Sequence, residues 1–398
     1  MSRIATLNAN EALTLEESYA VARGLFEDLS FSYASNWKAQ HESRKIVGYL
    51  PIYIPREIVH ALGMIPVGLF GAGDRIPVVR GDAFFQSYIC HLPRTVIEMA
   101  LNGSLDDFDA FVFPAICDVI RNLSGIFQLT QKGKAVRYLD FPQNFDPDVG
   151  GPFYRHELEL LISELSELNG VRLDSAALNR SIKLFNENRR LVAQLGDFRS
   201  DYPHKISAVD YYLVLRAGYA MPIEDHNAFL KQILEQLPAV NIEPEDKIRV
   251  VVSGAFCEQP PIGLIKTIEI AGCYIVDDDF QLGLKWIEED TPDDSNDPLG
   301  ALVTAYLTNS TFSSAVYDAD NPKEIRLQKQ VKARRADGVI FCAPSFCDPA
   351  LLDRPILEKG MDKARVRHVS FQYHENLGQF HVVKEQAGTF ADIIKLWN

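Results

Sequence analysis

Six cysteines are the residues of this chain best suited to chemistry: Cys90, Cys117, Cys257, Cys273, Cys342 and Cys347. No two of them form a CxxC pair, which excludes zinc ribbons, thioredoxin-like redox motifs and the ferredoxin cluster run. The N-terminus, MSRIATLNANEALTLEE, has no apolar stretch followed by a cleavage site, so the chain is expected in the cytoplasm, where six thiols are not a disulfide framework. A metal site here must be assembled from cysteines far apart in sequence. That pattern suits an iron–sulfur cluster held between loops of different elements, and it equally describes unrelated buried thiols.

The elements that would position these thiols alternate. Lys45 to Leu50 reads as a short strand and Pro55 to Gly63 as a helix, with proline at its start and glycine at its end. Ile65 to Phe70, Phe108 to Pro114 and Lys134 to Asp140 add three strands. From residue 151 the period changes to that of helices: Phe153 to Leu168 ended by Gly170, Asp174 to about Leu195, Val209 to Ala217, and Glu224 to Gln236. Strands return at Lys247 to Gly254, Cys273 to Val276, Ala336 to Cys342 and Arg367 to Phe371, with a helix from Pro261 to Ala271 between the first two.

Strands alternating with helices and lacking hairpin signals predict an α/β protein with parallel sheets. The expected architecture is two open parallel-sheet domains of flavodoxin or Rossmann type with a helical N-terminus and a helical connector. The boundaries fall at residues 1–42 (helical, opened by Thr14 with Glu16 and Glu17), 43–150 (first α/β), 151–245 (connector) and 246–398 (second α/β). The acidic 287–297 stretch reads as a solvated loop.

In open parallel sheets, ligands collect beyond the carboxyl ends of the strands. Cys117 follows the third strand of the first half and Cys347 the third strand of the second, each preceded by an apolar residue and followed by aspartate. That shared position, one in each half, is the strongest pointer to a common site. Cys90 precedes the apolar run His91 to Leu101, near a helix N-terminus where backbone amides favour the thiolate that binds iron. Cys257 follows a strand end, Cys342 closes a strand, and Cys273 reads as core.

The formal net charge of -14 argues against nucleic acid, and no run of residues is apolar enough to span a membrane. No GxxxxGK[ST] motif is present, so the chain carries no P-loop. The Gly68–Asp74 glycine loop reads as a turn ahead of a phosphate cradle.

These pieces, in order, resemble the 2-hydroxyacyl-CoA dehydratase and benzoyl-CoA reductase family. The likeness runs from Val47-Gly48-Tyr49, Pro55-Arg56-Glu57 and Ala61 to Val67, through Leu168-Asn169-Gly170-Val171 and Asn179 to Arg190. It continues through Val252-Ser253-Gly254, Ile268 to Gly272 and Val276 to Phe280, to Asp337-Gly338-Val339-Ile340 and Phe346-Cys347-Asp348-Pro349. The resemblance is strongest to an iron–sulfur subunit of the benzoyl-CoA reductase type.

The resemblance implies a [4Fe–4S] cluster on Cys90, Cys117 and Cys347, with Cys342 and Cys257 as bystanders, a fourth ligand or part of a larger double-cubane cluster. It implies ATP-dependent, dearomatising reduction of an aromatic CoA thioester, benzoyl-CoA, to a cyclohexadienoyl-CoA. ATP is then used by a partner, an activator subunit; the pair is completed by a second, homologous cluster subunit, and reduced ferredoxin donates electrons. His91 and Asp118, each beside a ligand, are the candidate proton donors. The alternative within the family is a 2-hydroxyacyl-CoA dehydratase subunit, which eliminates water reductively. An alternative of another class is a cluster-free α/β binding or scaffold subunit.

Overall fold

The β-branched and aromatic runs become strands in two four-stranded sheets, parallel throughout. The computed structural model describes residues 12–255, 259–311, 313–374 and 380–397. The first sheet holds β1 (Ile46–Tyr49), β2 (Ile65–Gly68), β3 (Ala110–Pro114) and β4 (Ala135–Leu139) in the order β2-β1-β3-β4. The second holds β5 (Ile248–Ser253), β6 (Cys273–Asp278), β7 (Gly338–Pro344) and β8 (Arg367–Tyr373) in the equivalent order β6-β5-β7-β8. In each, the chain steps outward from its first strand and then crosses to the other side, creating a switch point between β1 and β3 and another between β5 and β7. The expected α/β architecture with two parallel sheets is what the chain forms.

Helices α1 (Leu15–Glu27) and α2 (Ser32–Ala39) precede the first sheet. Thr14 caps α1 as the sequence predicts: its hydroxyl accepts from the Glu17 amide while the Glu17 carboxylate accepts from the Thr14 amide. Helices α3 (Arg56–Ala61), α4 (His91–Leu101) and α5 (Asp118–Thr130) connect the strands of the first sheet. The middle of the chain is α6 (Gly150–Asn169), α7 (Ser175–Asp201), α8 (Ala208–Ala217) and α9 (Ile223–Gln236). Gly170 ends α6 in the left-handed region, at φ 66°, where a side chain would be strained. Helices α10 (Ile262–Ile270), α11 (Leu282–Lys285), α12 (Pro298–Asn309), α13 (Lys323–Ala333), α14 (Asp348–Ala364) and α15 (His381–Trp397) complete the second half.

Helix α7 runs past the Leu195 expected as its end. Gly196 does not stop it, because the Tyr211 hydroxyl stands 3.3 Å from where a Cβ would lie and the next turn buries Arg199 and Ser200. The 287–297 loop is less solvated than its charge suggests. Asn186 on α7 donates to the Thr291 carbonyl (2.7 Å) and accepts from the Thr291 amide (2.9 Å), so Thr291 is buried in a loop of exposed acids.

One buried group in the helical layer sets a pH limit. His226 is fully enclosed: Asn188 donates to its Nδ1 (2.9 Å), its Nε2–H donates to the Val214 carbonyl (3.3 Å), and burial pushes its pKa down to about 3. Folded His226 therefore stays neutral where the unfolded chain, near pKa 6.5, takes up a proton. Stability is full above about pH 6.5 and falls as the pH drops toward 3. A His226→Gln variant is expected to flatten the pH dependence of the denaturation midpoint. The wild-type protein should lose about 2 kcal/mol more than the variant between about pH 6.5 and pH 5; parallel curves would refute the assignment.

Candidate metal centre

All three predicted cluster ligands occupy helix N-caps. Cys90 caps α4, Cys117 caps α5 and Cys347 caps α14. The reason is topological: a helix returning from a parallel strand starts at the carboxyl edge of the sheet, and α4, which leads into β3, also begins there. Each sulfur thus sits by the positive end of a helix dipole. At Cys117 the amides of Val119 and Ile120 donate toward the sulfur.

Cys117 and Cys347 come together from the two halves. Cys117 is half-buried, and its pKa is pushed up to about 11, first by burial and then by the nearby Cys347, against the pull of the two amides. Cys347 is buried, and Phe346 immediately before it has φ 65°, a left-handed conformation in which an aromatic residue is strained. That strain turns the Phe346 ring outward, 45% exposed, against His374 at 6.0 Å. Cys90 is buried at the start of α4, which packs on α5, but it does not close a group with the other two. Among the described residues, no set of three or more His, Cys, Asp or Glu side chains stands close enough to hold a metal ion. The structure therefore pairs two of the predicted ligands and holds the third on the same edge. A donor set of soft thiols at helix N-termini, with no histidine or carboxylate in the pair, suits iron–sulfur chemistry and not a hard cation.

The remaining cysteines separate. Cys342 is fully buried, and β7 continues two residues beyond it to Pro344, so it does not end its strand as expected. Burial and the charge of Asp279 hold its thiol well above the ordinary range. Cys273 is fully buried in the core, as read, with its thiol pushed up to about 12 by burial. Cys257 lies outside the described residues.

Of the two acids proposed from adjacency, Asp118 is exposed at the first position of α5. His91 starts α4, its Nε2 lies 3.1 Å from the Gly73 carbonyl, and burial lowers its pKa. The Gly68–Asp74 segment is occupied by that contact and by a short 3-10 turn, Gly73–Arg75.

The turn after β1 is a feature the sequence did not point to. Ile52 and Tyr53 both take positive φ, 81° and 58°, at the switch point of the first sheet. Tyr53 is fully buried there and ties the two halves. It donates to the Thr311 carbonyl (2.8 Å), accepts from the Ser313 amide (3.0 Å), and its ring packs on Phe141, Trp286 and Tyr306. A β-branched residue followed by tyrosine gives no sequence signal for left-handed backbone. A separate cavity of about 880 Å³ opens over the second sheet, walled by Ser253, Gly254, Asp279, Lys285 and Cys342; Cys117 and Cys347 are not among its walls.

Comparison with known proteins supplies the chemistry this geometry leaves open. Residues 51–394 match the family model described as 2-hydroxyglutaryl-CoA dehydratase, D-component. The chain is similar to the C subunit of benzoyl-CoA reductase from Thauera aromatica, 48% identical over 95% of this chain and 98% of the relative. It is also similar to the (R)-phenyllactyl-CoA dehydratase beta subunit of Clostridium sporogenes, 25% identical over 89% of this chain and 93% of the relative. The beta subunit of (R)-2-hydroxyglutaryl-CoA dehydratase from Acidaminococcus fermentans is 28% identical over 90% of this chain and 94% of its own length.

Proposed function

This chain belongs to the 2-hydroxyglutaryl-CoA dehydratase D-component family and is an enzyme subunit, and from that premise we propose that it is an iron–sulfur subunit of an ATP-dependent benzoyl-CoA reductase. The observation that carries the reading is the gap in identity: 48% to a benzoyl-CoA reductase subunit against 25% and 28% to dehydratase subunits of the same family, at nearly full coverage each time. A change of substrate within one fold is a change of site, so the nearer relative is the better guide to it.

In this reading Cys117 and Cys347 hold a [4Fe–4S] cluster across the two halves, and Cys90 completes the ligand set from α4. Bound there, the cluster supplies single electrons at low potential to a CoA thioester. The protein's own contribution is to offset, by helix dipoles and backbone amides, part of what burial costs the thiolates that would ligate iron. Phe141, Trp286 and Tyr306 pack on Tyr53 where it ties the two halves together. Asp118, exposed one residue from Cys117, is placed to pass a proton, whereas His91 spends its Nε2 on Gly73 and orients the start of α4.

Energy for such a low-potential step must come from outside a chain that has no P-loop. ATP hydrolysis is assigned to an activator partner, electrons to reduced ferredoxin, and the second cluster to a homologous subunit. No helix among the described residues is long and apolar enough to cross a membrane.

The test is substrate choice by the complete complex, purified anaerobically, reduced and supplied with ATP. Formation of a cyclohexadienoyl-CoA from benzoyl-CoA is expected. Turnover confined to a 2-hydroxyacyl-CoA, with release of water, would transfer the chain to the dehydratase branch.

A further inference from the structure

Two glutamines at the carboxyl edge of the second sheet are buried without partners among the described residues. Gln259 is 5% exposed and Gln281 0%, and neither the Nε2 nor the Oε1 of either amide has a hydrogen-bond partner there. Buried amides are nearly always bonded, because stripping water from them without replacement is costly. Two complete orphans in neighbouring loops mark a place where something else is to bind.

Their position says what. Gln259 lies in the loop after β5 and Gln281 in the loop after β6, while Cys347 follows β7; the sheet order β6-β5-β7 sets these three loops side by side. They are also tied together. The Asp279 carboxylate accepts from the Gly254 and Ala255 amides (2.6 and 3.0 Å), joining the β6 loop to the β5 loop. Gly254, at φ 113°, rests against the end of β7, with the Cys342 carbonyl 3.1 Å from where a Cβ would lie. Two residues after Gln281, Gly283 meets the strained β1 turn. A Cβ there would lie 3.1 Å from the Ile52 amide and 2.7 Å from the Tyr219 hydroxyl. That hydroxyl is a third buried group with no partner among the described residues. Strand order thus puts both orphans on the carboxyl edge that also carries Cys347. The Gly283 contact puts the β6 loop against the β1 turn, next in the first sheet to the strand that Cys117 follows.

We propose that the Gln259 and Gln281 side-chain amides are N–H···S hydrogen-bond donors to the iron–sulfur cluster held by Cys117 and Cys347, and that they set its potential. The inference rests on the cluster reading above and goes beyond it by naming positioning residues that are not ligands. A donor to a cluster sulfur stabilises the reduced, more negative form and raises the potential.

The experiment is a redox titration of the anaerobically purified complex, followed by the cluster's electron paramagnetic resonance, with iron and sulfide measured on every sample. In Gln259→Met and Gln281→Met the side-chain length is kept and the donor removed. Each is expected to shift the reduction equilibrium about tenfold toward the oxidised form, a fall of about 59 mV for one electron. Gln→Glu at either site, which replaces the donor with a charged acceptor, is expected to fall further. Loss of iron at an unchanged melting temperature would also support the proposal, since a packing defect would move the melt. Full iron with an unaltered potential and spectrum, and a raised melting temperature, would overturn it: the amides would then be mere burial defects relieved by methionine. Wild-type complex without iron would overturn the cluster reading itself, and is recognised before any variant is compared.

Discussion

Serine at Cys117 or at Cys347 is expected to strip this subunit's share of the iron from the anaerobically purified complex and to lower turnover of the CoA thioester by roughly 100-fold or more, at or beyond the upper end of the loss from disturbing a group that only supports a metal ligand. The two thiols approach each other from equivalent helix N-caps, and Cys117 feels Cys347 electrostatically. Serine preserves shape and can still accept the Val119 and Ile120 amides, but its hydroxyl is a hard donor with no thiolate chemistry. The fold should therefore tolerate the change while the metal does not. Folding is read by thermal midpoint, expected to move by only a few degrees because Cys117 is half-buried and its cap is kept.

The other cysteines provide the contrast. Cys90→Ser is expected to lose iron as well, which would place α4 in the ligand set; retention of full iron would leave Cys117 and Cys347 to find another ligand. Cys342→Ser should keep its iron. Cys342 is fully buried within β7 and walls the separate cavity over the second sheet, to which Cys117 and Cys347 do not contribute. Cys273→Ser should keep iron too and instead lose stability by about 1 to 3 kcal/mol, the cost of a hydroxyl buried in an apolar strand. Absence of iron from the wild-type subunit, with Cys117 and Cys347 replaceable by serine without loss of function, would end the cluster hypothesis and restore the reading of a cluster-free subunit.

The halves of this protein were legible in sequence because parallel strands buried on both faces give short apolar runs with proline and glycine at their ends, as at Ile46 to Pro51 and Val250 to Gly254. Placing Cys117 and Cys347 needed only the rule that loops after parallel strands form the site. That Cys90 caps α4 followed from the apolar run after it. Legibility stopped where one residue's environment comes from distant segments. Nothing local distinguishes Gln259 and Gln281 from surface glutamines, although both are buried in the folded chain. Ile52 and Tyr53 are poor candidates for positive φ by type, and only the packing of Tyr53 against Phe141, Trp286 and Tyr306 enforces it. Thr291 shows the same in reverse: a loop of acids reads as solvated, yet one threonine is held inside by Asn186.

Arg199→Met is expected to lower the thermal midpoint by roughly 5 °C, from a loss of about 3 to 5 kcal/mol. Arg199 is 1% exposed on the part of α7 that runs beyond Leu195, and its Nη1 donates to Asp278 at 2.5 Å. Its guanidinium also lies 3.6 Å from the centre of the Tyr211 ring, so the charge is held by a carboxylate on one side and an aromatic face on the other. Methionine keeps much of the stem's packing, so the loss reports mainly on Asp278. That carboxylate is 4% exposed at the end of β6, and without Arg199 it stays buried beside Asp277, with Lys285 near both and Arg334 bonded to Asp277. Removing both charges should cost less than the sum of the single changes, since the worst feature of each single variant is the partner it strands. Arg199→Met with Asp278→Leu is therefore expected to be no less stable than Arg199→Met alone, even though the Phe280 amide loses its acceptor at Asp278. Additive midpoints would show instead that the two side chains act independently. The coupled result would mean that α7 is clamped to the strand whose following loop carries Gln281.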